Sequence, residues 1–239
     1  MARYKNIASE NLRKKGIGIF IYESLNTSEL RRLMRTTVPS TKDCFNYDDS
    51  DFEWIDFYEE DEDEFDHSYF ISEGAFGKAY GYLWNDVESS DEFLSQLRDF
   101  DSYLAYAHPQ EARDPEVRSK LDALKGLLRK DSPKVLHAGI LCRTRSGLSS
   151  DMNATLKLAV MEIYADMFRT LPIGSLVYGE AVWRKGQSPD QAPAIKSMKR
   201  WGTGLGVEII FELPLAGYYP EGSEEYGEGS VLFVLKKTS

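Results

Sequence analysis

Hydrophobic and polar positions are best ordered between Val135 and Leu215, and that stretch predicts strand, helix, strand, long loop, strand. The run VLHAGILCRT, 135–144, has few polar interruptions and follows Pro133, which favours an extended start. From Asn153 to Thr170 the residues Leu156, Val160, Ile163 and Met167 recur at helical spacing, and Ala159, Tyr164 and Phe168 widen the stripe into a core-facing surface. Ser150 or Asp151 is placed to cap this helix, and Leu171-Pro172 ends it. A second strand is predicted over 175–183. The third, GVEIIFELPL, alternates Val207, Ile209, Phe211 and Leu213 against Glu208, Ile210 and Glu212, the period of a half-buried strand. The pattern predicts the α+β class: a mostly antiparallel sheet with an amphipathic helix packed on it.

The amino-terminal half adds an acidic and helical region. GIGIFIYES reads as a strand, and SELRRLMRTTV as a short basic helix capped within 26–28 and stopped by Pro39. YFISEGAFGKAYGYLW reads as short strands with glycine turns. Two helices follow. One is capped at Ser89 or Ser90 with Phe93, Leu97, Phe100 and Leu104 as its stripe; the other has Asp114 as cap, Pro115 at its first position, and Val117, Leu121, Leu124 and Leu128 inward. SVLFVLKK closes the chain as a strand that either completes its own sheet or pairs with a neighbour. The expected organisation is an amino-terminal region, 1–110, and an α+β core, 111–239, with one continuous domain as the alternative.

Charge changes this picture. The net value of −10 is concentrated in a belt, 43–66, with 13 acidic residues and no Lys or Arg. Residues 1–42 hold nine basic against three acidic residues. Aromatic residues interleave the belt, which predicts an acidic segment anchored by its rings rather than a disordered tail. A bare run such as EEDEDE lacks the fixed spacing a metal site requires. No run of about 18 apolar residues predicts a membrane span, and MARYKNIASENLRKKG lacks the apolar centre of a secretory leader. Cys44 and Cys142, far apart, are read as free thiols in a reducing compartment.

Catalytic chemistry has no local signature. His67, His108 and His137 lie in different segments without ligand spacing, and no nucleophile elbow or phosphate loop is present. Glu180 and Glu208, on strands expected to be neighbours, are the one acid–base pair worth naming. The expectation is therefore a non-enzyme without cofactor or metal. The loop between Trp183 and Leu205 carries Arg184, Lys185, Lys196, Lys199 and Arg200 against one acid, Asp190. A loop of that length is expected to be functional, with Trp183 and Trp201 as anchors or interface residues. Its charge opposes that of the belt at Asp61, Glu62, Asp63 and Glu64, so the two are expected to meet across a subunit boundary.

The order VLHAGILCRTRSG, helix 153–170, SLVYGEAVW, Arg200-Trp201 and VEIIFELPLAGYYP resembles the tail-terminator proteins of contractile-tailed bacteriophages. The resemblance covers the carboxy-terminal half. It implies a virion protein assembled in the host cytoplasm: a ring, typically a hexamer, capping the tail tube and sheath and joining them to neck or connector proteins. No membrane partner and no direct nucleic-acid contact are expected. Another neck or tail adaptor, or a soluble inhibitor whose belt mimics DNA, is the alternative.

Overall fold

The computed structural model describes residues 3–26, 64–73, 79–131, 133–138, 142–143, 148–184, 186–217 and 227–239. In chain order the first elements are β1 (Arg3–Asn6), α1 (Glu10–Lys14), β2 (Ile17–Asn26), β3 (Glu64–Glu73) and β4 (Ala79–Glu88). Next come α2 (Ser90–Ala107), α3 (Pro115–Asp131), β5 (Val135–Ala138), β6 (Cys142–Arg143) and α4 (Ser150–Thr170). The chain continues with β7 (Leu176–Arg184), α5 (Pro193–Trp201), β8 (Val207–Ala216) and β9 (Gly227–Lys237). The fold class is α+β, as the pattern predicts.

Two compact units form, each from two separated segments: Met1–Asp86 with Ala138–Arg169, and Val87–His137 with Thr170–Ser239. A division near residue 110 is not where the contacts part. In the first unit β1, β2, β3 and β4 run antiparallel in sequence order, and β6 pairs with β4. Ser9 caps α1 by accepting from the Leu12 N–H, and Gly16, at φ 77°, turns the chain into β2. Helix α4 buries Leu156, Ala159, Val160, Ile163, Tyr164, Met167 and Phe168, the predicted stripe. Asp166 accepts a hydrogen bond from Tyr69 of β3 (3.3 Å) and Glu162 accepts one from the Ser9 N–H (2.8 Å), which ties the helix to that sheet. Its cap is Ser149, whose Oγ accepts from the Met152 N–H, rather than Ser150 or Asp151.

In the second unit the strand order is β5-β7-β9-β8; β5 is parallel to β7 and the other pairs are antiparallel. A parallel neighbour requires a crossover, and the chain between β5 and β7 carries β6 and α4 of the first unit. The predicted strand 135–144 is thus two strands, one in each unit. Helices α2 and α3 supply Phe93, Leu97, Leu104, Leu121, Leu124 and Leu128 to a core shared with Leu176, Tyr178, Phe211, Leu213 and Val234. Ser89 and Glu92 form a reciprocal cap on α2, and Asp114 accepts from the Glu116 N–H at the start of α3. The final strand β9 lies inside its own sheet, between β7 and β8.

Two sequence expectations in this unit are corrected. First, β8 pairs Ile209 with Leu235 but Phe211 with Val234, so Ile210 is an extra residue. The extra residue moves Phe211, Leu213 and Leu215 onto the face opposite Val207 and Ile209. Second, the long basic loop is mostly helical: a 3-10 turn at Pro189–Gln191, α5, and another turn at Gly202–Leu205. Pro193 occupies a position at the helix start where no intrahelical N–H is needed, and Ile195 and Met198 are buried.

A candidate proton-transfer site

The second unit gathers five side chains that lie up to 90 residues apart in sequence. Glu88 ends β4, because Ser89 turns the chain to cap α2. Phe93 and Gln96 sit three residues apart on α2 and so share one side of it. The parallel register of β5 and β7 places His137 directly beside Tyr178. The result is a stack of three rings. Tyr178 lies against Phe93 (centroids 4.1 Å apart, planes at 16°) and against His137 (4.6 Å, 8°).

The polar end of Tyr178 is equally constrained. Its hydroxyl donates to Glu88 Oε1 at 2.6 Å, and Gln96 Oε1 lies 2.5 Å from it. Gln96 Nε2 in turn donates to Glu88 Oε1 at 3.1 Å, closing a triangle. A phenol has one proton, so it serves one of the two oxygens, and the charged carboxylate is the stronger acceptor. Glu88 Oε2 is buried with no hydrogen-bond partner among the described residues. Burial pushes the His137 imidazole below its usual value, and the nearby Glu88 carboxylate partly offsets that. Near neutral pH the ring is therefore an uncharged proton acceptor. Glu88 supplies the negative charge that stabilises the imidazolium once a proton arrives.

Sequence reasoning passed over this site. Its members carry no short motif, and their only common signal is that Glu88 and His137 bracket two amphipathic helices. The positions it singled out are distributed differently. Trp183 is buried, and its ring passes Gly229, where a Cβ would fall 2.6 Å from Trp183 Cη2. Trp201 is half-buried at the end of α5, where Lys196 and Arg200 are exposed. Lys199 is held within the chain by Asp190 (2.6 Å) and Glu212 (3.0 Å). Arg184 ends β7 and Glu64 opens β3; Lys185, Asp61, Glu62, Asp63 and most of the acidic belt lie outside the described residues. Glu180 and Glu208 are not on neighbouring strands, since β9 runs between theirs, with Glu180 opposite Leu232 and Glu208 opposite Lys236. Four residues along and two strands across separate them by roughly 16 Å, too far to share a proton. His67 lies in β3, and His108 ends α2 with its Nε2 3.5 Å from the Tyr103 hydroxyl. Among the described residues no cluster of three His, Cys, Asp or Glu forms a metal cage, and no helix is long and apolar enough to cross a membrane.

No family model matches the sequence, and no curated protein does. Solved structures do show similarity. An agmatine N-acetyltransferase is 14% identical, with 92% of this chain and 99% of that one covered and a TM-score of 0.44. The Drosophila melanogaster polyamine N-acetyltransferase is 14% identical over 91% of this chain and 99% of its own, at a TM-score of 0.41. A mosquito protein described as arylalkylamine N-acetyltransferase like 5b gives 14%, 91%, 99% and 0.40. These findings overturn the expected tail terminator. With it go the expected non-enzyme, the ring with tail tube, sheath and neck as partners, and the place in a virion. At these scores the likeness assigns no activity to the chain, so its chemistry has to be argued from its own side chains.

Proposed function

We propose that this chain is an enzyme whose general base is His137, and that its reaction is transfer of an acyl group from a thioester to an amine. The observation that carries the reading is the imidazole stacked on Tyr178, depressed by burial and backed by the Glu88 carboxylate. Amine acylation demands such a group. An amine is an ammonium ion at neutral pH and attacks a carbonyl only after losing a proton. A base that is itself uncharged at that pH can take it. The ammonium gives one proton to His137, which returns it to solvent. The nitrogen–carbon bond forms, the carbon–sulfur bond breaks, and the second nitrogen proton is lost as the leaving thiolate takes one up. The net products are amide, thiol and one proton. Tyr178 and Phe93 act as positioning residues that fix the plane of the ring.

The test is thiol release from acetyl-CoA across a panel of primary amines, with purified chain and the His137→Ala and His137→Gln variants. The expected result is release that depends on the amine and falls about 10²–10⁴-fold in both variants. No release with any amine between pH 6 and 9, from protein shown to be folded, overturns the reaction. Equal rates in the variants overturn the base.

A further inference from the structure

The hydroxyl end of Tyr178 carries a conflict within the triangle it forms with Glu88 and Gln96. Two oxygen–oxygen contacts meet there, 2.6 Å to Glu88 Oε1 and 2.5 Å to Gln96 Oε1. Each needs a proton between its oxygens. The phenol has one, and a carboxylate and an amide carbonyl bring none. Once Tyr178 donates to Glu88, the Gln96 carbonyl faces the phenol oxygen with no proton between them. Turning the amide over does not help. Its NH₂ group would then donate to Tyr178, and its oxygen would face Glu88 Oε1 across the 3.1 Å now bridged by Nε2. In either orientation one contact sets acceptor against acceptor.

The place that Gln96 fills suits another group, one that donates toward both Tyr178 and Glu88 and accepts from neither. A primary ammonium is such a group, with three protons, no lone pair and a positive charge. Water also donates twice, but charge separates the two. Residues 88–97 hold Glu88, Asp91 and Glu92 and no Lys or Arg. Glu88 Oε2 is buried without a hydrogen-bond partner among the described residues, so a cation beside it gains a charge-assisted bond. Entry is by way of Gln96 itself. Its side chain is exposed on α2 and can leave for solvent, whereas Tyr178 is buried with a ring stacked on each face.

We propose that Glu88 and the Tyr178 hydroxyl form the subsite for the protonated amine of the substrate, a primary alkylammonium, and that the Gln96 amide is its built-in stand-in, displaced when the amine binds. This rests on the reading of His137 as the base, since that reading makes an amine the substrate. The subsite holds the nitrogen at the hydroxyl end of the ring on which His137 is stacked.

The experiment follows the Gln96 side-chain amide signal of the ¹⁵N-labelled full chain, identified by its absence in Gln96→Ala, without acetyl-CoA and at fixed ionic strength. The probes are n-butylammonium, tetramethylammonium, which has charge but no N–H, and n-butanol, which has no charge. The expected result is that n-butylammonium alone moves the signal to the position of a solvated amide. Glu88→Gln should weaken that binding about tenfold or more. Gln96→Ala removes the competitor and should tighten it about two- to tenfold, read from the His137 imidazole signals. No displacement across the millimolar range, equal displacement by tetramethylammonium, or binding that Gln96→Ala leaves unchanged or weakens overturns the proposal. If Glu88→Gln fails to fold, tetramethylammonium and Gln96→Ala decide. Binding with the expected signs but no thiol release from acetyl-CoA sustains the subsite and overturns the reaction. Thiol release with an amine whose binding is indifferent to Glu88→Gln does the reverse.

Discussion

Removing the Tyr178 hydroxyl while keeping its ring separates the polar triangle from the stack. In Tyr178→Phe the contacts with Phe93 at 4.1 Å and His137 at 4.6 Å remain, while the bond to Glu88 and the contact with Gln96 are lost. A hydrogen bond to a charged group contributes about 1.5–3 kcal/mol. The loss falls on a carboxylate that already has one buried oxygen without a partner, so about 2 kcal/mol is the expected cost. Urea unfolding, read as a shift in midpoint at unchanged slope, measures it. A cycle with Glu88→Gln tests the cause. With the charge gone, the same hydroxyl is expected to contribute only about 0.5–1.5 kcal/mol, so the two changes should couple by roughly 1 kcal/mol. A Tyr178→Phe cost below about 0.5 kcal/mol, or costs that add within about 0.5 kcal/mol, refutes the view that Glu88 is held by the phenol.

The remaining predictions concern the same unit. The acid limb of the pH–rate profile should lie below the ordinary histidine value, because burial depresses His137; Glu88→Gln removes the charge that opposes this, so the limb moves further toward acid, and a limb moving toward alkali contradicts the assignment. Gly229→Ala should cost about 2 kcal/mol or more by urea unfolding, since its Cβ would strike Trp183 and the Leu215 carbonyl oxygen, a backbone atom that cannot swing aside. Lys199→Met should cost under about 1 kcal/mol, because the lysine and both its partners are partly solvated. The hydrogen bond to Asp190 raises the ammonium above its ordinary value, so the wild-type advantage is full below the unfolded lysine pKa and fades as pH rises through the folded one. Stabilities of wild type and Lys199→Met that diverge in strong alkali would contradict it.

Legibility in the sequence followed the strength of local signals. Helices α2, α3 and α4 were readable because each has a polar cap and an apolar stripe at helical spacing, and the buried residues are those of the stripe. Helix α5 was not. Pro189 and Pro193 read as loop punctuation, although proline at the first helical position starts a helix as readily as it breaks one. Two turns of helix leave too short a period to outweigh that. The bulge in β8 was hidden for a related reason: VEIIFEL alternates well in isolation, and the extra residue shows only against the register of β9, which the strand's own sequence does not contain.

The site was less legible than the fold because its logic is entirely one of register. Each member has an ordinary local reading: Glu88 a strand end beside a cap, Gln96 an exposed helix residue, Tyr178 a buried strand residue. What converts them is that β5 runs parallel to β7, so that His137 meets Tyr178 rather than Val177, one residue away and on the opposite face. Parallel pairing arises only after the chain has made its excursion through β6 and α4, and nothing within 135–138 announces it. The basic segment is a different case. Its charge was readable, and the belt expected to meet it across a subunit boundary lies mostly outside the described residues. The structure shows that Lys199 finds Asp190 and Glu212 within 13 residues of itself. Opposite charges far apart in sequence are weak evidence of contact when nearer ones are available, because closing the shorter loop costs less entropy.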